Sequence, residues 1–239
     1  MAAALARALG SAAAAEEAAE AAPPEPVLVL GPAGSGRTAL LLRVALAGGP
    51  HGPRALYLAP SAPPRLPEGG GDPRALQRLE LRYPPSAAAL ARELAALPSH
   101  PRPPGLVLLD GLERYLGGSP GSPARLAALL LEVARSPAQV VVALRLPPPA
   151  PRLLHALRRF FPTECRLRPP GSPPRRGTLH VTHPGSPTRR WTLRFGPQGQ
   201  LRVHRDGDTD GDGDTDGDTK SDGDINPQAP QTPGWGHGR

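Results

Sequence analysis

A glycine-rich segment near the start of the chain has the residue types and the spacing of a phosphate-binding loop. The segment reads GPAGSGRT, with Gly31 and Gly36 at the two glycine positions and Thr38 at its end. In such a loop the backbone N–H groups of the turn and of the following helix point at the phosphates, and the Thr hydroxyl binds Mg²⁺. The loop residues predicted to bind a nucleotide are Gly31, Pro32, Ala33, Gly34, Ser35, Gly36, Arg37 and Thr38.

A carboxylate at the end of a later apolar segment supplies the second half of such a site. The segment LVLL, residues 106–109, is followed directly by Asp110. A buried strand that ends in Asp beside the loop holds the magnesium ion through its water shell. We therefore predict that Thr38 and Asp110 bind Mg²⁺ together with the nucleotide.

The loop departs from the usual pattern at one position, where Arg37 replaces Lys. An Arg side chain keeps the charge but brings a wider, planar group, so we expect binding to suffer less than hydrolysis. Hydrolysis also needs a carboxylate that orients water, and the second apolar segment, residues 55–58, is followed by no acid. Glu113 is the predicted catalytic candidate, and the alternative is a solvated acid at the start of a helix.

The elements that must position these residues follow from the apolar pattern. Short apolar strands that alternate with helices predict an α/β fold with a mainly parallel sheet covered on both faces. After Pro151 the pattern predicts a helix with Leu153, Leu154, Leu157, Phe160 and Phe161 on one apolar face. Four alternating segments follow and predict a β-rich C-terminal end near His204. The strands are predicted at 27–30, 55–58, 106–109 and 140–144, and the helices at 38–47, 86–97 and 124–135.

Composition predicts one domain with a tail at each end. Gly and Pro number 28 and 35 of 239 residues, about a quarter of the chain, which is typical of chains with low-complexity parts. We predict an Ala-rich extension over 1–25 that is flexible or partly helical, the domain over 26–204 and a disordered tail over 205–239. The tail repeats D-x-D-x-D-G but lacks the Glu that a calcium loop needs at its twelfth position, so we interpret it as an acidic low-complexity segment.

The lone cysteine and the hydropathy exclude some classes of site. One cysteine, Cys165, cannot form an internal disulfide and cannot build a zinc site by itself. Without an apolar run of about 18 residues, no membrane-spanning segment and no membrane partner are expected.

The charge pattern predicts a polyanionic partner. The net charge of +7 includes nine Asp between Arg205 and Asp224, so residues 1–204 carry 25 Arg against 12 acids. Such a surface attracts nucleic acid, and Phe160, Phe161 and Trp191 are the aromatic residues that could stack on bases. The alternative is a solvated surface enlarged by a compositional preference for Arg. The DNA-binding candidates are Arg145, Arg152, Arg158, Arg159, Arg175 and Arg176.

Four longer stretches carry a family resemblance. They are LELRYPPS, LVLLDGLERYL, LLHALRRFFPTECRL and RRWTLRFGPQGQLRV, and the likeness runs from Val27 to Val203. They resemble the SWIM-zinc-finger-associated ATPases of the vertebrate Shu complex, diverged paralogues of the RecA-type recombinases. The resemblance implies a RecA-like P-loop NTPase core, ATP and Mg²⁺ as cofactors, and DNA-stimulated ATP hydrolysis. It also implies binding of single-stranded DNA, a heterodimer with a SWIM-domain zinc-finger protein, and action in the nucleus with RecA-type recombinases and their paralogues.

Three functions remain open at this point. The first is an ATP-binding accessory subunit of homologous recombination that assists the strand-exchange recombinase. The second is a non-catalytic scaffold whose nucleotide pocket has decayed, a possibility that Arg37 and the missing acid after residues 55–58 keep open. The third is a small phosphotransferase, for which the sequence offers no lid and no acceptor site.

Overall fold

The computed structural model describes residues 3–10, 25–66, 72–116, 122–135, 137–147, 151–168, 176–182, 188–196 and 201–205. Its helices are α1 (Ala3–Ala8), α2 (Arg37–Leu46), α3 (Pro73–Leu76), α4 (Ala87–Ala96), α5 (Ser122–Arg135) and α6 (Pro151–Arg158). Its strands are β1 (Val27–Gly31), β2 (Ala55–Leu58), β3 (Leu79–Arg82), β4 (Leu106–Leu109), β5 (Gln139–Arg145), β6 (Thr163–Arg168), β7 (Arg176–Thr182), β8 (Arg189–Phe195) and β9 (Leu201–Arg205). Short 3-10 turns occupy Gly49–His51, Leu97–Ser99 and Leu112–Tyr115.

The strands form one sheet in the order β3-β2-β4-β5-β1-β6-β7-β8-β9. The first six strands of that order are parallel, and β6 to β9 are antiparallel. The predicted α/β class with a β-rich C-terminal end is confirmed. Because parallel strands end at the same edge, the ends of β1, β4 and β5 bring Gly31, Asp110 and Arg145 to one side of the molecule.

The parallel part of the sheet is covered on both faces. Helices α1 and α2 pack with one set of strand side chains, and α4, α5 and α6 pack with the other. Residues Val27 to Leu30 of β1 have no exposed surface, as expected for a strand buried on both faces. At about 25 cal/mol per Å² of buried apolar surface, these two cores supply the main favourable term for folding.

The N-terminal segment differs from the predicted flexible extension. Residues 3–8 form α1, and Leu5 and Leu9 are buried against α2. The Ala4 N–H donates to the Gln139 side-chain oxygen at 3.0 Å, and Arg43 Nε donates to the Ala8 carbonyl at 2.7 Å. Residues 3–10 are therefore part of the core, because Leu5 and Leu9 lie one helical turn apart and meet an apolar face of α2.

The helix predicted after Pro151 also differs at its end. It ends at Arg158, and Leu154, Leu157 and Phe161 are buried as expected. Phe160 is 47% exposed, because the chain has left the helix before this residue and no longer follows the helical repeat. The prediction that Phe160 shares the buried face is therefore wrong.

The described elements belong to one compact unit, Met1–Asp208. The predicted acidic tail, apart from Arg205 at the end of β9, lies outside the described residues. Within the part of the chain that the structure describes, no helix combines the length and the apolar character that crossing a membrane requires.

Candidate functional site

The glycine-rich segment forms a tight loop between β1 and α2. Gly34 and Gly36 have φ values of +74° and +88°, which favour glycine because a side chain there is strained. The Ser35 N–H donates to the Pro32 carbonyl at 3.3 Å, and the Leu40 N–H donates to the Gly36 carbonyl at 2.9 Å. Helix α2 begins at Arg37 without a side-chain cap, so its first N–H groups face the loop as an anion-binding terminus does.

Two glycines of the loop are held by close neighbours. A Cβ atom on Gly31 would lie 2.4 Å from Ser35 Oγ and 2.9 Å from Leu167 Cβ. A Cβ atom on Gly36 would lie 2.3 Å from the ring of Phe195, at the end of β8. Ser35 Oγ is buried and has no hydrogen-bond partner among the described residues. The loop therefore leaves no space for larger side chains at either position.

Three oxygen atoms meet beside the loop. The Thr38 hydroxyl donates to Asp110 Oδ2 at 2.5 Å, and the Tyr57 hydroxyl donates to the same oxygen at 2.8 Å. Asp110 and Tyr57 are 8% and 1% exposed, so the cluster is nearly closed to water. Burial, and then the neighbouring Asp110 carboxylate, raises the pKa of Tyr57 well above its ordinary value, so this hydroxyl stays protonated.

Arg37 forms an ion pair that the sequence does not reveal. Its Nη1 lies 3.4 Å from Glu113 Oε1, and the two side chains are 13% and 11% exposed. The other Glu113 oxygen accepts the backbone N–H of Arg145 at 3.0 Å. The alternative of Glu113 as a solvated acid is therefore wrong, because it joins the loop arginine to the end of β5.

The residues of the loop fit a nucleotide with Mg²⁺. A hydroxyl and a carboxylate oxygen within 2.5 Å of each other, at the end of the phosphate loop, are the hard donors that this ion prefers. The uncapped start of α2 and the unpartnered Ser35 hydroxyl are donors suited to phosphate oxygens.

Comparisons with known proteins identify the family. No family model matches the chain. A Homo sapiens protein named ATPase SWSAP1 is 41% identical over 165 residues, which cover 60% of this chain and 72% of that protein. The Mus musculus protein of the same name is 35% identical over 188 residues, covering 71% of this chain and 68% of that protein. The chain belongs to the SWSAP1 family. The glycine-rich loop of this family member is the P-loop of a RecA-like core.

A solved structure supports the fold of this SWSAP1-family chain. The flagellar accessory protein FlaH from Methanocaldococcus jannaschii superposes with a TM-score of 0.59 over 75% of this chain and 89% of that chain. At 12% identity the likeness concerns the fold alone. The predicted RecA-like core is confirmed.

The predicted DNA-binding arginines of the SWSAP1-family chain are not all in one place. Arg145 is exposed at the end of β5, and Arg159 is exposed just after α6. Arg158 donates to Glu164 at 2.7 Å. For Arg152 and Arg176 the structure gives the backbone position alone, in α6 and β7, and Arg175 lies outside the described residues.

Sequence inspection missed two residues of the site and misjudged two aromatic ones. Tyr57 and Phe195 reach the P-loop only because β2 and β8 end beside it, a relationship that no local signal reveals. Phe161 and Trp191 are 2% and 1% exposed, so they pack in the core and cannot stack on bases. Of the three predicted aromatic candidates, Phe160 alone has an exposed ring.

Proposed function

We propose that this SWSAP1-family chain is an ATP-binding accessory subunit of homologous recombination. The observation that carries the proposal is the 2.5 Å contact between Thr38 and Asp110 at the end of a P-loop in a RecA-like core. The name ATPase of the two curated relatives agrees with a nucleoside triphosphate as the ligand.

In the proposed complex the backbone N–H groups of Gly34, Gly36, Arg37 and Thr38 would donate to the phosphates, and Thr38 and Asp110 would hold Mg²⁺. When bound, the ion neutralises the phosphate charge and polarises the bond to the terminal phosphate. Tyr57 keeps the Asp110 carboxylate oriented toward Thr38 by donating a hydrogen bond to it.

Slow turnover follows from the environment of Arg37. Glu113 neutralises its guanidinium, so the charge has to leave this pair before it can act on a terminal phosphate. We propose that ATP is bound firmly and hydrolysed slowly.

The biological part of the proposal rests on family membership and charge. The subunit binds single-stranded DNA, forms a heterodimer with a SWIM-domain zinc-finger protein and assists the strand-exchange recombinase in the nucleus. The excess of Arg in residues 1–204 supports the DNA-binding part, because such a surface releases counterions from phosphates.

Magnesium-dependent binding of ATP to the full chain tests the nucleotide part. Asp110→Asn keeps the shape of the side chain and is expected to abolish the magnesium dependence, whereas Glu132→Gln, on an exposed acid of α5, leaves it intact. No binding at about millimolar ATP would sink the proposal. Co-elution with a co-expressed SWIM-domain protein tests the partner, and separate elution contradicts it.

Two observations favour the second candidate, a scaffold with a decayed pocket. Arg37 is already paired, and the Phe195 ring rests against Gly36. A scaffold with a decayed pocket still binds its partner protein when Asp110→Asn is introduced, and none of its measured activities depends on added nucleotide. These two results separate it from the ATP-binding subunit.

A further inference from the structure

The antiparallel part of the sheet has one face that no described helix covers. In β6 the side chains alternate, so Thr163, Cys165 and Leu167 are buried while Arg166 and Arg168 point outward. The same alternation holds in β8, where Trp191 and Leu193 are buried. The inner face packs against α1 and α2, and the outer face consists of polar residues.

Strand register shows which residues share this outer face. Arg166 stands opposite His180, which stands opposite Arg190, and Arg194 stands opposite Arg202. Residues two apart on a strand and directly opposite on its neighbour lie on the same face. We name this surface the outer β6–β9 face; its residues with described side chains are Glu164, Arg166, Arg168, Thr178, His180, Thr182, Arg190, Thr192, Arg194, Arg202 and His204.

The charge of the outer β6–β9 face is almost entirely of one sign. Its five arginines stand with one carboxylate, Glu164, which is the single acid in the described residues of these four strands. Glu164 accepts hydrogen bonds from Arg158 at 2.7 Å and from Arg166. Like charges directly opposite on neighbouring strands, as in Arg194 and Arg202, cost stability in the free protein.

A concave region lies at the α6 side of this face. A cavity of about 460 Å³ lies between the end of α6 and strands β6 and β7. Arg158, Arg166, Arg168 and His180 line it, together with the hydroxyl-bearing Thr182 and Thr188. Phe161, Pro162 and Glu164 complete the lining, and Phe161 is only 2% exposed. The groups available to a ligand are therefore mainly guanidinium and hydroxyl donors, which suit a phosphodiester backbone.

We propose that the outer β6–β9 face binds the phosphate backbone of single-stranded nucleic acid. The inference rests on the proposed DNA-binding function and assigns its location. It extends the predicted set of arginines with Arg168, Arg190, Arg194 and Arg202. The predicted candidate Arg176 lies in β7 and stands opposite Arg194. The four strands together span about 14 Å across this face.

The test measures binding of oligothymidine to the full chain between about 50 and 200 mM salt. The triple variant Arg168→Gln, Arg194→Gln, Arg202→Gln removes three exposed charges of the face. Each lost contact lowers the slope of log K against log salt by about 0.7, so the triple variant loses about 2 units of slope and roughly a hundredfold in affinity at 0.1 M.

Matched variants show whether binding depends on the outer β6–β9 face or only on the net charge of the chain. The triple variant Arg92→Gln, Arg125→Gln, Arg135→Gln removes the same charge from exposed positions on α4 and α5 and should keep the wild-type slope. Glu164→Gln releases Arg158 and Arg166 and should raise the affinity several-fold. Cooperative thermal unfolding and unchanged magnesium-dependent ATP binding show that the variants are folded.

Three results overturn the inference. If both triple variants lose the same affinity for oligothymidine, net charge alone determines binding. If the slope of log K against log salt is unchanged in the variant of the outer β6–β9 face, the nucleic acid contacts another surface. Weaker binding of polyglutamate with unchanged binding of oligothymidine identifies an acidic protein surface as the partner. If the wild-type chain itself shows no salt-dependent binding, the proposed DNA-binding function fails, which is distinguishable from a failure of the location.

Discussion

Arg37 and Glu113 form an ion pair with 3.4 Å between Nη1 and Oε1, at the position where the usual P-loop has a lysine. The pair is largely shielded from water, so its attraction is weakened less by salt than that of an exposed pair. Glu113 also accepts the Arg145 N–H, so the charge of the nucleotide loop is tied to the end of β5. A terminal phosphate and Glu113 therefore compete for the same guanidinium.

Arg37→Lys is expected to raise ATP turnover by roughly tenfold or more, because a compact ammonium can approach the terminal phosphates. The affinity for ATP should change by only a few-fold. Single-turnover hydrolysis with excess protein measures the rate. Unchanged low turnover would show that Arg37 is not what limits hydrolysis and would favour a pocket used for binding alone.

Glu113→Gln removes the charge that holds Arg37 while keeping an oxygen for the Arg145 N–H. If Glu113 acts by holding Arg37, ATP binding should tighten by about fivefold, equivalent to about 1 kcal/mol. If it acts as a general base, turnover should fall by about 10² or more with little change in affinity. Parallel titration and hydrolysis assays separate the two, and no change in either rules out both roles.

Tyr57→Phe deletes the hydroxyl that donates to Asp110 Oδ2 at 2.8 Å. Because groups that orient a metal-binding residue contribute about tenfold to metal affinity, the magnesium concentration needed for half-maximal ATP binding should rise by about that factor. ATP binding at saturating magnesium should stay near wild type. An unchanged magnesium requirement would mean that Tyr57 contributes to core packing and not to magnesium binding.

Glu164→Gln tests a pH dependence of stability. Burial alone would raise the pKa of Glu164, but hydrogen bonds from Arg158 and Arg166 outweigh it and hold the pKa below its ordinary value of 4.5. The stabilisation is therefore present above the unfolded-state pKa and is lost as pH falls through the lower folded-state pKa.

Urea unfolding of the wild type from about pH 6 down to about pH 3 should show this loss, and Glu164→Gln should reduce it. Glu132→Gln is the control, because Glu132 and its partner Arg135 are 62% and 79% exposed and should contribute little. Parallel pH profiles for the wild type and Glu164→Gln would contradict the role of this carboxylate.

Arg43→Met keeps the apolar stem of the side chain and removes its hydrogen-bond donors to Ala8 and Leu201. We expect the free energy of unfolding to fall by about 2–3 kcal/mol, because hydrogen bonds from a charged donor are lost and the carbonyls lose their partners. Urea denaturation measures it. Arg92→Met, at an exposed position of α4, provides the reference, and an equal effect of both substitutions would argue against a structural role.

Local sequence patterns were sufficient to predict the apolar strands of the sheet but not which segments and side chains meet in the fold. The apolar strands and the Ser86 cap of α4, which accepts the Ala89 N–H at 3.2 Å, follow from residues close in sequence. The burial of Leu5 does not, because an Ala-rich segment becomes core only when α2 offers an apolar surface. The meeting of Tyr57 and Asp110 depends on the register of β2 with β4, which the sequence pattern leaves undetermined.

The hydrogen bond between Arg43 and the Leu201 carbonyl joins residues 158 positions apart. Contacts of such high sequence separation form late, since the loop between them has to close first. During synthesis the first strand and the P-loop leave the ribosome long before β8 and β9 are available to contact α2. The nucleotide-binding loop consequently reaches its final packing only when the C-terminal strands have emerged, so the nascent chain exposes an unfinished P-loop for most of its synthesis.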